Sequence, residues 1–204
     1  MYLKNYSDLK SNCYTYLGFK KGITDPKIDL LIDKALEEIE KIQQFKYEFQ
    51  RFDEVIPILN KEPYLSFLAG STEYIISCMT LGYNVERRIK MLSKIDMEYM
   101  VIFDACASAY LEYMSDNYEH TLYDNPTYRF CPGYGGSSAS DLKEIAKIIH
   151  PEKIGIELLE SNIMIPQKSM IGIVGNKFSS KKSCKNCVNQ KHCSYRKKGT
   201  LCYN

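Results

Sequence analysis

Residues 154–175, "IGIELLESNIMIPQKSMIGIVG", decide how this chain folds. Apolar and β-branched side chains crowd both halves, and "PQK" at 166–168 separates them. Short apolar runs bounded by turn residues read as strands, so the stretch predicts a pair of strands. Upstream, "SASDLKEIAKIIHPEK" reads as a helix. Ser140 is its expected N-cap, Asp141 sits at the positive dipole end, and Leu142, Ile145, Ala146 and Ile149 form one face. Pro151 stops it, with His150 at its C-terminal end.

Further out, "TDPKIDLLIDKALEEIEKI" predicts a helix capped by Asp25 with Pro26 in its first turn. "KYEFQRFDEVIPIL" predicts a strand broken at Pro57, and "EYIISCMTL" a strand between "GS" and "GYN". Asn84 is the expected cap of "VERRIKMLSK", and a longer helix is expected from Asp96 to about residue 119. Its middle, "DACASAY", is small-chained, which suits close helix–sheet packing or close approach of a ligand. Helix, strands, helices, loop, helix, strands is not a regular βαβ alternation, so the class is α+β.

The chain has 204 residues, 45% of them hydrophobic, which suits one core with an appendage. No apolar run is long enough for a membrane helix, and the start lacks the pattern of a signal peptide, so a cytoplasmic protein is expected. Net charge is only +2, but no Asp or Glu follows Glu160 while Lys and Arg continue to Lys198. Residues 1–176 are therefore expected to form the domain and 177–204 a basic tail. That tail could dock on an acidic partner or on phosphates, or be simply solvated. Its cysteine-rich end lacks base-reading or stacking residues beyond Tyr195 and Tyr203, so a nucleic-acid binder ranks last.

The tail also holds Cys184, Cys187, Cys193 and Cys202, spaced C-x2-C-x5-C-x8-C. Four thiolates so close can bind Zn²⁺ or an iron–sulfur cluster, with His192 as a substitute ligand; free thiols or a redox disulfide are the alternatives. His120, His150 and His192 are too dispersed to suggest a shared catalytic site.

"RFCPGYGG", residues 129–136, carries the remaining chemistry. Arg129 can clamp a carboxylate or phosphate with parallel hydrogen bonds. Pro132 biases Cys131 to an extended backbone, and Gly133, Gly135 and Gly136 let a ligand approach main-chain groups. Tyr134 adds a flat face and a hydroxyl. The set suits a zwitterionic, partly aromatic small molecule, or else an irregular turn whose arginine makes a structural ion pair.

Together with 154–175, this stretch resembles the activation domain of vitamin B12-dependent methionine synthase, which carries R-x-x-PGY, a T-E-S block and an M-x-P-x-x-S strand. "MTLGYNVERRI" and "FDACASAYLEY" resemble two further family blocks, and "YLGFKKGITDPKIDLLIDKALEEI" resembles the start of free-standing, single-domain members. The resemblance implies a twisted, mainly antiparallel sheet with surrounding helices, curved around a groove that binds S-adenosylmethionine. It implies docking on a corrinoid-bearing methionine synthase subunit, where Co(II) cobalamin is reduced by flavodoxin, ferredoxin or a similar donor and remethylated. A non-catalytic docking module without S-adenosylmethionine is the alternative.

By the same resemblance Arg129 would bind the methionyl carboxylate, and the main chain of Cys131, Gly133 and Gly135 would contact the ligand. Tyr134 would lie near ligand and corrinoid, and Glu160 and Ser161 would be structural or line the groove. Leu159 stands for the family's threonine in that block, Ser108 for an acidic residue on the D-A helix, and "KFSSKKS" where a ligand-binding tyrosine is expected. The partner's cobalt would be the nucleophile, so no catalytic residue is expected in this chain.

Overall fold

A computed structural model describes residues 5–20 and 22–177. The sheet is built around β2 (Tyr74–Thr80), which is buried at every position. β1 (Lys46–Phe52) pairs antiparallel on one side, with Glu48 opposite Cys78. β5 (Ser169–Gly175) pairs antiparallel on the other, with Ile171 opposite Cys78. Residues 125–130 then run along the outer edge of β5. Phe130 and Ile173 exchange backbone hydrogen bonds of 2.9 Å, and Thr127 N donates to Gly175 O at 2.9 Å. The arginine–glycine loop thus leaves directly from the sheet edge.

Both faces of the sheet are covered, which is why β2 reads as one apolar run rather than an alternating one. Met79 and Met170 face α1 (Tyr6–Tyr16), α2 (Pro26–Ile42) and α5 (Met97–Leu122). Ile76, Cys78, Ile171 and Ile173 face α3 (Tyr64–Leu68) and α6 (Asp141–Ile149). The class is α+β with a mainly antiparallel sheet, as expected from sequence.

Local signals explain most of the elements. Asp25 caps α2 through Lys27 N at 2.9 Å and Ile28 N at 3.1 Å, with Pro26 opening the helix. Asp96 caps α5 through Tyr99 N at 3.0 Å. His150 ends α6 in the left-handed region, φ 57°. The small side chains of α5 are mostly buried; the helix packs chiefly against α1 and α2 and also lies on the sheet at β2.

Three expectations are corrected. α4 (Tyr83–Ile95) starts one residue before Asn84, after Gly82 turns the chain at φ 81°, and Asn84 donates to Ile42 O instead of capping. Ser140 is helical and leaves α6 without a side-chain cap. Residues 154–165 do not make one long strand: β3 (Glu157–Leu158) and β4 (Met164–Ile165) form their own hairpin, and only β5 joins the main sheet. Among the described residues no helix is long and apolar enough to cross a membrane.

Candidate functional site

Alternation along the edge segment sends Arg129 and Phe130 to opposite faces of the sheet. Phe130 packs edge-on against Tyr64 at 5.3 Å, among the α3 and α6 side chains. Arg129 lies under α5, its side chain 3% exposed. Its stem rests on Gly172 of β5: a Cβ there would come within 2.7 Å of Arg129 Cδ and closer still to Cγ. An isolated glycine in a strand marks such an approach.

Three carboxylates of α5 converge on the guanidinium. Glu119 takes Nε at 2.7 Å and Nη2 at 3.1 Å. Asp116 takes Nη2 at 2.6 Å and Glu112 takes Nη1 at 2.8 Å. Positions 112, 116 and 119 share one helix face. Tyr47 of β1 donates to Glu119 Oε1 at 3.1 Å and stacks on Tyr118 at 4.3 Å. Burial pushes the Glu119 carboxyl up to about 7, against the pull of Arg129. Burial also works against the charge on Arg129, but the three acids more than offset it and hold the guanidinium protonated. Burial, then the charge of Glu119, holds the Tyr47 phenol protonated.

With all groups ionised, three carboxylates around one guanidinium leave a surplus of two negative charges. Glu119 is sealed in, but the side chains of Glu112 and Asp116 are 33% and 22% exposed, so the surplus reaches solvent. The sequence reading missed these acids and looked for one at position 108. Ser108 instead accepts from Lys168 Nζ at 2.8 Å, and Lys168 also pairs with Asp104 at 2.9 Å. The missed signal was present: 104, 108, 112, 116 and 119 recur at helical spacing as a polar stripe along α5.

The glycine loop is tightly self-bonded. Tyr134 N donates to Cys131 O at 3.2 Å, Ser137 N to Tyr134 O at 3.1 Å, and Gly133 N to Ser137 Oγ at 2.9 Å. Gly135 has φ 61°, and a Cβ there would meet the Phe130 ring at 2.9 Å. Its bareness serves packing against Phe130. Tyr134 is 69% exposed and Cys131 half-buried.

Glu160 and Ser161 are not brought to Arg129. They are exposed at the tip of the β3–β4 hairpin, where Glu160 pairs with Lys143 of α6 at 2.6 Å. Leu158 and Met164 anchor that hairpin in the α3–α6 layer, on the sheet face opposite Arg129. No group of three or more His, Cys, Asp or Glu among the described residues is arranged to hold a metal ion. Cys184, Cys187, Cys193 and Cys202 lie outside the described residues.

These features define an α+β domain whose sheet edge carries a buried, acid-rich arginine cluster beside an exposed tyrosine loop. No protein-family model matches the chain, and no curated protein does. Among solved structures it is similar to the MetH reactivation domain bound to AdoHcy, with a TM-score of 0.55 and 15% identity. The match covers 98% of this chain and 86% of that one. At that identity the likeness establishes the fold, which is the fold the sequence resemblance implied.

Proposed function

We propose that the chain is a reactivation subunit that binds S-adenosylmethionine at the Arg129 edge and docks on a corrinoid-bearing methionine synthase subunit. The observation that carries this reading is the surplus of negative charge at Arg129, open to solvent through Glu112 and Asp116. S-adenosylmethionine has one carboxylate and two cationic centres, an ammonium and a sulfonium, so its charges complement the cluster. The similar solved domain, which was crystallised with AdoHcy, supports the same ligand class.

In this reading Arg129 takes the ligand carboxylate, and the Glu112 and Asp116 carboxylates hold the cationic end. The loop from Cys131 to Gly135 borders the ligand, with Tyr134 offering an exposed ring to ligand and partner. The chain's work is positioning: it binds and orients the methyl donor and excludes water from it. The partner's corrinoid supplies the methyl-accepting cobalt, and a flavodoxin- or ferredoxin-like donor the electron. The tail cysteines are proposed to hold Zn²⁺ or an iron–sulfur cluster, which metal analysis of anaerobically purified protein tests.

A reactivation assay tests the function. The chain is mixed with a Co(II) methionine synthase core, a reductant and S-adenosylmethionine, and methylcobalamin formation is followed by absorbance. Formation that requires both this chain and S-adenosylmethionine supports the reading; its absence under conditions where the partner binds refutes it. One observation favours a second reading: Arg129 is already bonded to three carboxylates of its own chain. That suits a docking module that binds the corrinoid protein without S-adenosylmethionine, and ligand-independent co-purification with no methyl transfer would identify it.

A further inference from the structure

Arg129 is gripped from two sides that differ in exposure. On the inner side Glu119 uses both oxygens, its side chain is 3% exposed, and Tyr47 holds it in place. On the outer side Glu112 reaches Nη1 through one oxygen at 2.8 Å, and its side chain is 33% exposed. Asp116 shares Nη2 with Glu119 and has the shorter side chain, whereas Glu112 holds Nη1 without Glu119 or Asp116. The inner pair is fixed; the outer one is a single charge-assisted hydrogen bond at the solvent boundary, where another carboxylate can replace it.

We infer that Glu112 is a specificity-determining residue: it stands in for the ligand's carboxylate at Arg129 Nη1, and on binding turns to the ligand's ammonium. This rests on the ligand reading above. The exchange conserves charge at Arg129, since one carboxylate leaves as another arrives. The displaced Glu112 then lies beside Asp116, four residues along the same helix, where like charges repel. An ammonium relieves that repulsion. Only an α-amino acid ligand carries both groups close enough together to make both contacts. A plain carboxylate strands Glu112, and a plain amine leaves Arg129 engaged. The site therefore selects α-amino carboxylates over carboxylates that lack the amine.

Calorimetric titration of the full chain, wild type and Glu112→Gln, with S-adenosylhomocysteine and with its des-amino analogue tests this. Glutamine removes both the competing charge and the ammonium's partner. The des-amino analogue is expected to bind about tenfold tighter to the variant, while S-adenosylhomocysteine changes by less than about threefold, so the preference for the amine collapses. Glu112→Ala is expected to give the same pattern, and thermal melts check that both variants fold. If both ligands shift by one common factor, Glu112 is only a structural partner of Arg129. The inference is then overturned while the ligand reading stands. If neither ligand nor S-adenosylmethionine binds the wild type, both are overturned.

Discussion

Gly172→Ala is the perturbation that most directly tests how Arg129 is seated. The added Cβ would meet Arg129 Cδ at 2.7 Å and Cγ closer still, well inside van der Waals contact. Phe130 O, at 3.6 Å, is an ordinary neighbour, so the arginine stem is the sole obstacle of consequence. Overpacking of this kind costs about 1–3 kcal/mol, and displacing the guanidinium strains a buried pair whose loss costs about 3–5 kcal/mol. A destabilisation of about 3 kcal/mol is expected, or about 1 M in urea midpoint for an m-value of about 3 kcal/mol/M. The assay is a double-mutant cycle in urea: Gly172→Ala is measured in the wild type and in Arg129→Ala, which has no Cγ to strike. In the second background the cost should fall below about 0.5 kcal/mol. Equal costs in both backgrounds would refute the seating of Arg129 on Gly172.

Other perturbations have defined outcomes. Glu119, pushed up to about 7 by burial, binds a proton in the folded protein that the unfolded chain gives up near its ordinary value of 4.5. Stability should therefore fall by up to about 3 kcal/mol as pH rises through that window and then level off. Glu119→Gln should abolish this slope in urea melts at pH 5 and 8; a slope of the same size in the variant would assign it elsewhere. Asp141 is raised by burial but lowered more by hydrogen bonds from Lys61 and Tyr64, both 2.8 Å, so its net shift is downward. Its stabilisation is present above its unfolded value of 3.8 and is lost as pH falls through the folded one. Asp141→Asn should cost about 1–3 kcal/mol at pH 7 and much less in acid, as read by thermal melts at the two pH values. Gly133→Ala and Gly135→Ala should each cost about 1–2 kcal/mol of left-handed strain, and Gly135→Ala about 1–3 kcal/mol more because its Cβ also strikes the Phe130 ring, whereas Gly133 has only Ala139 beyond 3.5 Å. Urea midpoints that rank the two the other way would contradict the role given to Phe130.

What was legible in the sequence was local. Asp25–Pro26 and Asp96 announce their helices because a cap acts within a few residues. β2 is legible because burial on both faces writes itself as an unbroken apolar run. Residues 154–165 were misread because strand propensity does not name a partner: Leu158 and Met164 anchor a short hairpin rather than extending the sheet. Arg129 is legible as a cation that could clamp an acid, but not that the preceding helix α5 supplies the carboxylates. The stripe at 112, 116 and 119 was visible, yet only the tertiary fold turns it towards the sheet edge. Gly172, in the middle of β5, was the sequence's sign that something lies flat on the strand there.

The central claim is that the Arg129 cluster reads a cationic amino-acid ligand by its charge. Calorimetric titration of the full chain with S-adenosylmethionine and S-adenosylhomocysteine, at low and physiological salt, tests it most directly. The two ligands differ by the methyl group and the sulfonium charge. S-adenosylmethionine is expected to bind about tenfold tighter, with the gap narrowing as salt rises. Equal affinities, or no binding of S-adenosylmethionine at either salt concentration, would contradict it.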